Sequence, residues 1–290
     1  PYSPSRKVRL GRSTLRYSPV HFVMHPVLFE IAGVPIRGFG VMLVIGFFLA
    51  IQIAKKRAPR WGVTAEQIWE ISFWLIVFGV LGARVLFIAQ EWGYYSKNSS
   101  EIWTLKFDGM TSFGGVLFGL PTLALWCKLR KLPMRVMLDI FGVPFLVASA
   151  LGRLGCFLNG CCFGHLSDSW CAVHFVGTPG THIPAQLFDL AMLLGGAWIL
   201  TRVERNRDWS AGVSAGLAFA IFGLSRFIYE FWRAGTVSEV ERKIASSTYW
   251  GELPITEAQA VALVICVGGV ILAWLSAQRS GLKAKPVGSS

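Results

Sequence analysis

Charge is scarce in this chain. Only 15% of its 290 residues are Asp, Glu, Lys or Arg, against about 25% in an ordinary soluble domain. Hydrophobic residues make up 53%, and mean hydropathy is +0.52. So much apolar surface has no place in water, which excludes a soluble globular protein and points to an integral membrane protein. Acids are scarcer than bases, 16 against 28, giving a net charge of +12. The bases form no continuous patch. They fall in short clusters between apolar segments, which is topology information and not a nucleic-acid footprint. Internal repeats and low-complexity tracts are absent. Histidine occurs five times, which leaves few partners for a metal, and no metal or nucleotide motif is present. The run GCCFG at 160–164 is not C-x-x-C, so a thioredoxin-like redox site has little support.

Residues 1–23 carry Arg6, Lys7, Arg9, Arg12 and Arg16 but no acid and no apolar run. They lack the apolar core of a secretory signal, and Met24 opens MHPVLFEI as a plausible start of the domain. The expected organisation is a disordered basic extension (1–23), one transmembrane domain (24–279) and a cytoplasmic tail (280–290). Deleting 1–23 is expected to leave function intact, and loss of activity on deletion would overturn that division.

A spanning helix needs about 20 mostly apolar residues. Seven segments qualify: roughly 36–54, 67–90, 112–128, 137–158, 184–201, 211–232 and 258–277. The expected fold is an all-α bundle of about seven transmembrane helices. Loop charge orients it. Lys55, Lys56, Arg57 and Arg60 follow the first span, Lys128, Arg130, Lys131 and Arg135 the third, and Arg202, Arg205 and Arg207 the fifth; Arg279, Lys283 and Lys285 follow the seventh. The alternate loops are balanced or acidic, and 159–183 holds no Lys or Arg. The N-terminus is therefore expected outside and the C-terminus in the cytoplasm.

That orientation gathers the unusual polar residues in the outer leaflet. Arg84 lies near the outer end of span two and Arg153 near that of span four. Arg226, Glu230 and Arg233 share a stripe at i, i+4, i+7 in span six. Gly114 and Gly115 open span three, and Pro184 and Gln186 open span five. An arginine at the centre of a spanning helix costs roughly 2.5–3.5 kcal/mol on insertion scales unless an anion or water receives it. Arg233 could simply snorkel to the headgroups, Arg84 could pair with a carboxylate, and Arg226–Glu230 could be an intrahelical pair. Arg153 and Arg226 sit in apolar or glycine-rich sequence and must face a cavity or the bundle interior. Their planar forks suit phosphate, so a phospholipid phosphate at headgroup depth is the expected ligand.

The run GRLGCFLNGCCFG at 152–164 resembles the signature G-R-x-G-N-F-x-N-x-E-x-x-G of the prolipoprotein diacylglyceryl transferases. Gly152, Arg153, Gly155, Phe157, Asn159 and Gly164 match. The likeness extends over most of 24–278. FGVMLVIGF at 39–47, GARVLF at 82–87, DGMTSFGG at 108–115, IPAQLFD at 183–189, GLSRFIYEFWR at 223–233 and ITEAQ at 255–259 resemble family segments in the family's order. The resemblance implies transfer of the diacylglyceryl group of phosphatidylglycerol to the cysteine thiol of a prolipoprotein lipobox. A thioether forms and glycerol-1-phosphate leaves. It implies a bacterial inner membrane, an active site toward the outer leaflet, and no cofactor or metal. It makes Arg153 and Arg226 the main catalytic and phosphate-contacting residues. Asn159 and Gly164 shape the signature loop, and Glu230 and Arg233 support span six. Arg84, Gly114 and Gln186 complete the expected phospholipid site. The partners implied are phosphatidylglycerol, lipobox signal peptides and membrane lipid, with no nucleic acid.

The departures from the family pattern bear on mechanism. Its asparagine and glutamate are Cys156 and Cys161 here, and its S-F-H-G-G histidine aligns with Gly114. Phe39 stands for an aromatic hydroxyl, Arg37 for the preceding histidine, and Ile183 for the histidine of H-P-S-Q, with His182 adjacent. Another group such as His182 could serve as base, the positive field could ionise the thiol unaided, or activity could be lost. A base typically contributes 10²–10⁴-fold, so turnover can survive without one. Cys156, Cys161, Cys162 and Cys171 share an oxidising outer region, where Cys171 is expected to pair with Cys161 or Cys162 unless all stay free. Cys127 and Cys266 are expected as packing residues. A catalytically impaired lipid-binding homologue and a membrane thiol–disulfide oxidoreductase remain as alternatives.

Overall fold

The computed structural model describes residues 27–31, 34–103, 112–178, 180–205, 207–235 and 255–279. The basic extension 1–23, residues 108–111 of the DGMTSFGG segment and the tail 280–290 lie outside the described residues. Strands β1 (Val27–Ile31) and β2 (Val34–Arg37) pair as an antiparallel hairpin ahead of α1 (Gly38–Arg57). There follow α2 (Ala65–Gln90), the single turn α3 (Trp92–Tyr95), α4 (Ser112–Arg130) and α5 (Met134–Leu158). Strand β3 (Phe163–Gly164), α6 (Ala185–Glu204), α7 (Val213–Glu230), β4 (Arg233–Gly235) and α8 (Glu257–Ala277) complete the order. Each expected span is thus a long helix. Six are long and apolar enough to cross a membrane, with mean hydropathy from 1.2 to 2.5. The segment expected at 112–128 forms the 19-residue α4, interrupted by Pro121. The chain is an all-α integral membrane protein.

Local sequence explains the helix boundaries. Threonine opens α2 and α8 with the same capping box: Thr64 and Thr256 accept from the backbone N–H of Gln67 and Gln259, whose side-chain oxygens accept in return. Two orphan donors are satisfied at each start. Val44, Phe48, Phe73, Leu125, Val264 and Trp274 stand exposed on helix surfaces, the apolar faces that a bilayer covers.

The helices alternate in direction, and two polar clusters mark the two ends of the bundle. At one end Arg57 gathers α1, α5, α6 and α7. Its guanidinium donates to Glu204 at 2.6 and 2.9 Å, to the carbonyls of Asp139 and Ile140 at 2.8 and 3.1 Å, and to Ser214 at 3.1 Å. Asp139 accepts from the amides of Gly212 and Ala215 at 2.8 and 2.7 Å, capping α7 from a neighbouring helix. Ser210 reaches the Arg279 carbonyl just past α8, and Arg130 of α4 pairs with Glu70 of α2. Lys55, Lys56, Lys128 and Arg202 lie in the helix turns at this end. The opposite end, roughly 21 Å away along α5 at 1.5 Å per residue, carries Arg153 and Arg226.

Between the ends, α7 and α8 pack backbone to backbone. A Cβ added at Gly269 would lie 2.5 Å from the Ala220 nitrogen and 2.6 Å from the Gly216 carbonyl oxygen. Only small residues permit that approach, the usual basis of helix association in lipid. The neighbouring Gly268 faces open space. Gly269→Ala is therefore expected to destabilise by about 1–3 kcal/mol, the range for overpacking. Gly268→Ala should leave thermal unfolding in detergent unchanged or slightly raised.

Candidate active site

Helix α5 delivers Arg153 one turn before its end. The Arg153 Nε pairs with Asp189 Oδ2 of α6 at 2.5 Å, and Asp189, 2% exposed, also accepts from the Ser225 hydroxyl of α7. The Arg153 guanidinium lies 4.5 Å from the centre of the Tyr229 ring, and Arg226 lies 4.7 Å from the same ring. Each such contact contributes about 0.5–2 kcal/mol. Glu230 is buried between two arginines, 3.3 Å from Arg226 and 3.3 Å from Arg233. Three guanidiniums face two carboxylates, which leaves one positive charge in excess. Arg153 commits its Nε to Asp189, so its two terminal nitrogens can form a fork for a further anion.

The turn after α5 runs through Asn159 and Gly160 into Cys161 and Cys162. Gly160 has φ 68° and Cys162 φ 63°. The second is costly for a residue with a side chain, of order 1–3 kcal/mol. Tertiary bonds hold it. The fully buried Tyr229 donates its hydroxyl to the Cys162 carbonyl at 2.8 Å, and Gln186 Nε2 donates to the Cys161 carbonyl at 2.7 Å. The reversed turn brings the sulfurs of Cys156, Cys161 and Cys162 within 4.8 Å of one another. The neighbouring Cys156 and Cys161 thiols, with the positive field of Arg153 and Arg233, hold the Cys162 thiol below its usual range. Gly164 then crosses under β4. Its amide donates to the Ile183 carbonyl at 2.8 Å, and a Cβ there would lie 2.8 Å from the Trp232 oxygen.

Arg153, Arg226, Glu230, Arg233, Gln186 and Asn159 therefore meet at this end of the bundle. Gln186 and Asn159 belong to the thiol turn: Gln186 donates to the Cys161 carbonyl, and Asn159 closes α5, its amide donating to the Gly155 carbonyl at 2.9 Å. Gly164 offers no free amide, and its part is the close backbone crossing. Two further residues expected in the ligand site have protein neighbours. Gly114 is spent on the α2–α4 contact, where a Cβ would lie 2.2 Å from the Gly82 oxygen. Arg84 covers the Tyr95 ring of α3 at 5.6 Å. His182, the expected substitute base, is buried, and its Nε2 has no hydrogen-bond partner among the described residues. It is 2% exposed, its Nδ1 lies 2.9 Å from the Gly164 carbonyl, and its ring packs 4.6 Å from Phe163. The disulfide expected from Cys171 is not formed. All six cysteines are free, and the Cys171 sulfur lies 3.5 Å from the Ser169 hydroxyl. The left-handed turn directs Cys161 and Cys162 back toward Cys156 instead.

Sequence reading missed Asp189, Tyr229 and the meeting of the three thiols. Asp189 had a signal, since it stands one helical turn after Gln186 in IPAQLFD. Tyr229 follows Arg226 at i+3, but only the packing of α5 against α7 shows that it receives both arginines.

Fold and site together define a polytopic membrane protein with a buried, net-positive arginine cluster at one end of its helix bundle. The sequence profile described as prolipoprotein diacylglyceryl transferase matches residues 26–275, and the chain belongs to that family. It is 29% identical over 251 residues to the phosphatidylglycerol–prolipoprotein diacylglyceryl transferase of Finegoldia magna, covering 86% of this chain and 94% of that one. To the protein of the same name from Clostridium tetani it is 29% identical over 219 residues, covering 72% and 86%. A third, from Lactobacillus acidophilus, is 31% identical over 137 residues, 47% of this chain and 49% of that one.

Breaking a buried ion pair by removing one partner costs about 3–5 kcal/mol. Asp189→Asn should therefore lower the unfolding temperature well beyond any effect of Asp168→Asn, a change in the exposed loop between α5 and α6. His182→Ala should lower stability too, yet leave the pH dependence of turnover near neutrality unchanged. A changed pH profile would restore His182 as a proton carrier.

Proposed function

We propose that this protein transfers the diacylglyceryl group of phosphatidylglycerol to the lipobox cysteine of prolipoproteins, the first step of bacterial lipoprotein maturation. The observation that carries the reading is the pair Arg153 and Arg226 on one buried tyrosine, with net positive charge, in a chain of this family. The lipid phosphate accepts from the terminal nitrogens of Arg153 and from Arg226. The lipobox thiolate attacks the glyceryl carbon bonded to the phosphate oxygen, forming a C–S bond as the C–O bond breaks. Glycerol-1-phosphate leaves with the electron pair. Its growing charge is stabilised by guanidiniums already fixed by Asp189, Glu230 and Tyr229, and prior fixing is what makes such stabilisation effective. Arg233 adds to the field through Glu230.

In the membrane, the end carrying Lys55, Lys56, Lys128 and Arg202 faces the cytoplasm by the loop-charge rule. The arginine site then opens toward the outer leaflet of the inner membrane, where lipobox segments emerge. Thiol–disulfide oxidoreduction is a weaker reading, because it gives Arg226 and Arg233 no task.

The test is a purified assay with phosphatidylglycerol vesicles and a lipobox peptide, following glycerol phosphate release and peptide mass. Arg153→Ala and Arg226→Ala should each reduce turnover about 10²–10³-fold, the usual loss for a charge-stabilising donor. Release that survives both changes would overturn the mechanism.

A further inference from the structure

The reaction needs a thiolate, yet neither position expected to supply an imidazole offers an open one. The family histidine's position, Gly114, is closed by Gly82, and His182 is locked under Gly164. What stands beside the arginines instead is the trio Cys156, Cys161 and Cys162. Their sulfurs lie within 4.8 Å of one another, none is in a disulfide, and two occupy positions where the family signature has asparagine and glutamate. Three sulfurs at zinc's 2.3 Å bond length in tetrahedral array lie about 3.8 Å apart, so small side-chain adjustments close the trio on one ion. The Cys-x4-Cys-Cys spacing looks wrong for a metal in one dimension. The left-handed residues Gly160 and Cys162 make it right in three. A plain connector has no need of the strain at Cys162, which Tyr229 and Gln186 hold in place.

We infer that Cys156, Cys161 and Cys162 form a binding site for a soft divalent cation of the zinc type, whose open fourth position takes the lipobox thiol. Resting on the transferase reading above, the site supplies that reaction with its nucleophile. The ligand set fits: thiolates select soft ions, and three protein ligands with an open position are the pattern of a catalytic zinc. Among the described residues no fourth Cys, His, Asp or Glu joins the group. Three thiolates and a divalent cation sum to −1, and Arg153 and Arg233 lie close enough for their positive field to act on Cys162. Coordination deprotonates a thiol outright, and its proton passes to water. The bound sulfur then forms the C–S bond, the glyceryl C–O bond breaks, and the electron pair departs with glycerol phosphate. No oxidant or reductant is consumed.

The experiment uses the full chain in detergent. Zinc is measured by elemental mass spectrometry, and cobalt(II) replaces it as an optical probe of thiolate ligands. One metal per chain and a thiolate-to-cobalt charge-transfer band are expected. Cys161→Ser and Cys162→Ser should each abolish or strongly reduce both, while Cys171→Ser retains them. Adding a lipobox peptide with cysteine should raise the band by about one third, and the serine peptide should not change it. In unmutated protein, zinc should shield Cys156, Cys161 and Cys162 from alkylation but leave Cys171 reactive, a readout immune to misfolded variants. Absence of metal binding and of alkylation shielding overturns the site. Metal binding without a spectral response to the cysteine peptide overturns the open position. Transfer activity that persists in metal-free protein sinks the inference and leaves the transferase reading standing. Metal and peptide thiolate bound without glycerol phosphate release sinks the transferase reading and leaves the site.

Discussion

A guanidinium buried in an apolar helix must be received by something, and the arrangement around Arg153 follows from that demand. Asp189 of α6 supplies the counter-charge and is itself fixed by Ser225 of α7. Tyr229 of α7 supplies a ring face, and its hydroxyl holds the turn that leaves α5. Three helices and the signature loop are therefore tied through one side chain. The attraction is strong because little water competes there, and it is directional because the fork is planar. Removing either partner would leave a buried charge with nothing to balance it.

The two ends of the bundle apply the same chemistry to different purposes. Around Arg57 the guanidinium meets two oxygens of one carboxylate, two carbonyls and a hydroxyl, so it is fully occupied by protein. Such a knot pins helix ends. Around Arg153 and Arg226 the carboxylates are fewer than the arginines, and the surplus charge is available to a ligand. The glycine seam of α7 and α8 supports this difference. Tight backbone contact there fixes α7 from behind, so that Arg226, Tyr229 and Glu230 are presented from a rigid element.

The signature loop has been rebuilt around sulfur. Cys156 and Cys161 replace two polar family residues, and the left-handed turn adds Cys162 to them. The helix that would carry the family histidine is drawn against α2 at Gly82 and Gly114, too close for any side chain. The two changes are coherent. One helix lacks the family's imidazole and the turn after another gathers three thiols.

The sequence by itself determined the membrane class, the seven helical segments, the family, and the gathering of Arg153, Arg226, Glu230 and Arg233 at one end of the bundle. Those features are carried by local signals: apolar length, charge between spans, and an i, i+4, i+7 stripe. Tertiary structure alone decided which polar groups meet. Asp189 and Tyr229 joined the site because α6 and α7 turn those faces toward α5. Gly114 lies in the α2–α4 contact and Arg84 over the Tyr95 ring because α2 packs on α4 and α3. His182 is buried by Phe163 and Phe175, which come from separate stretches of the loop between α5 and α6. The thiols at 156, 161 and 162 look unpromising as a linear spacing and converge only through two positive φ angles. The reason is the same in each case. Periodicity fixes what a segment becomes, whereas the rotation of one helix against another and the dihedrals of a turn depend on contacts between residues far apart in the chain.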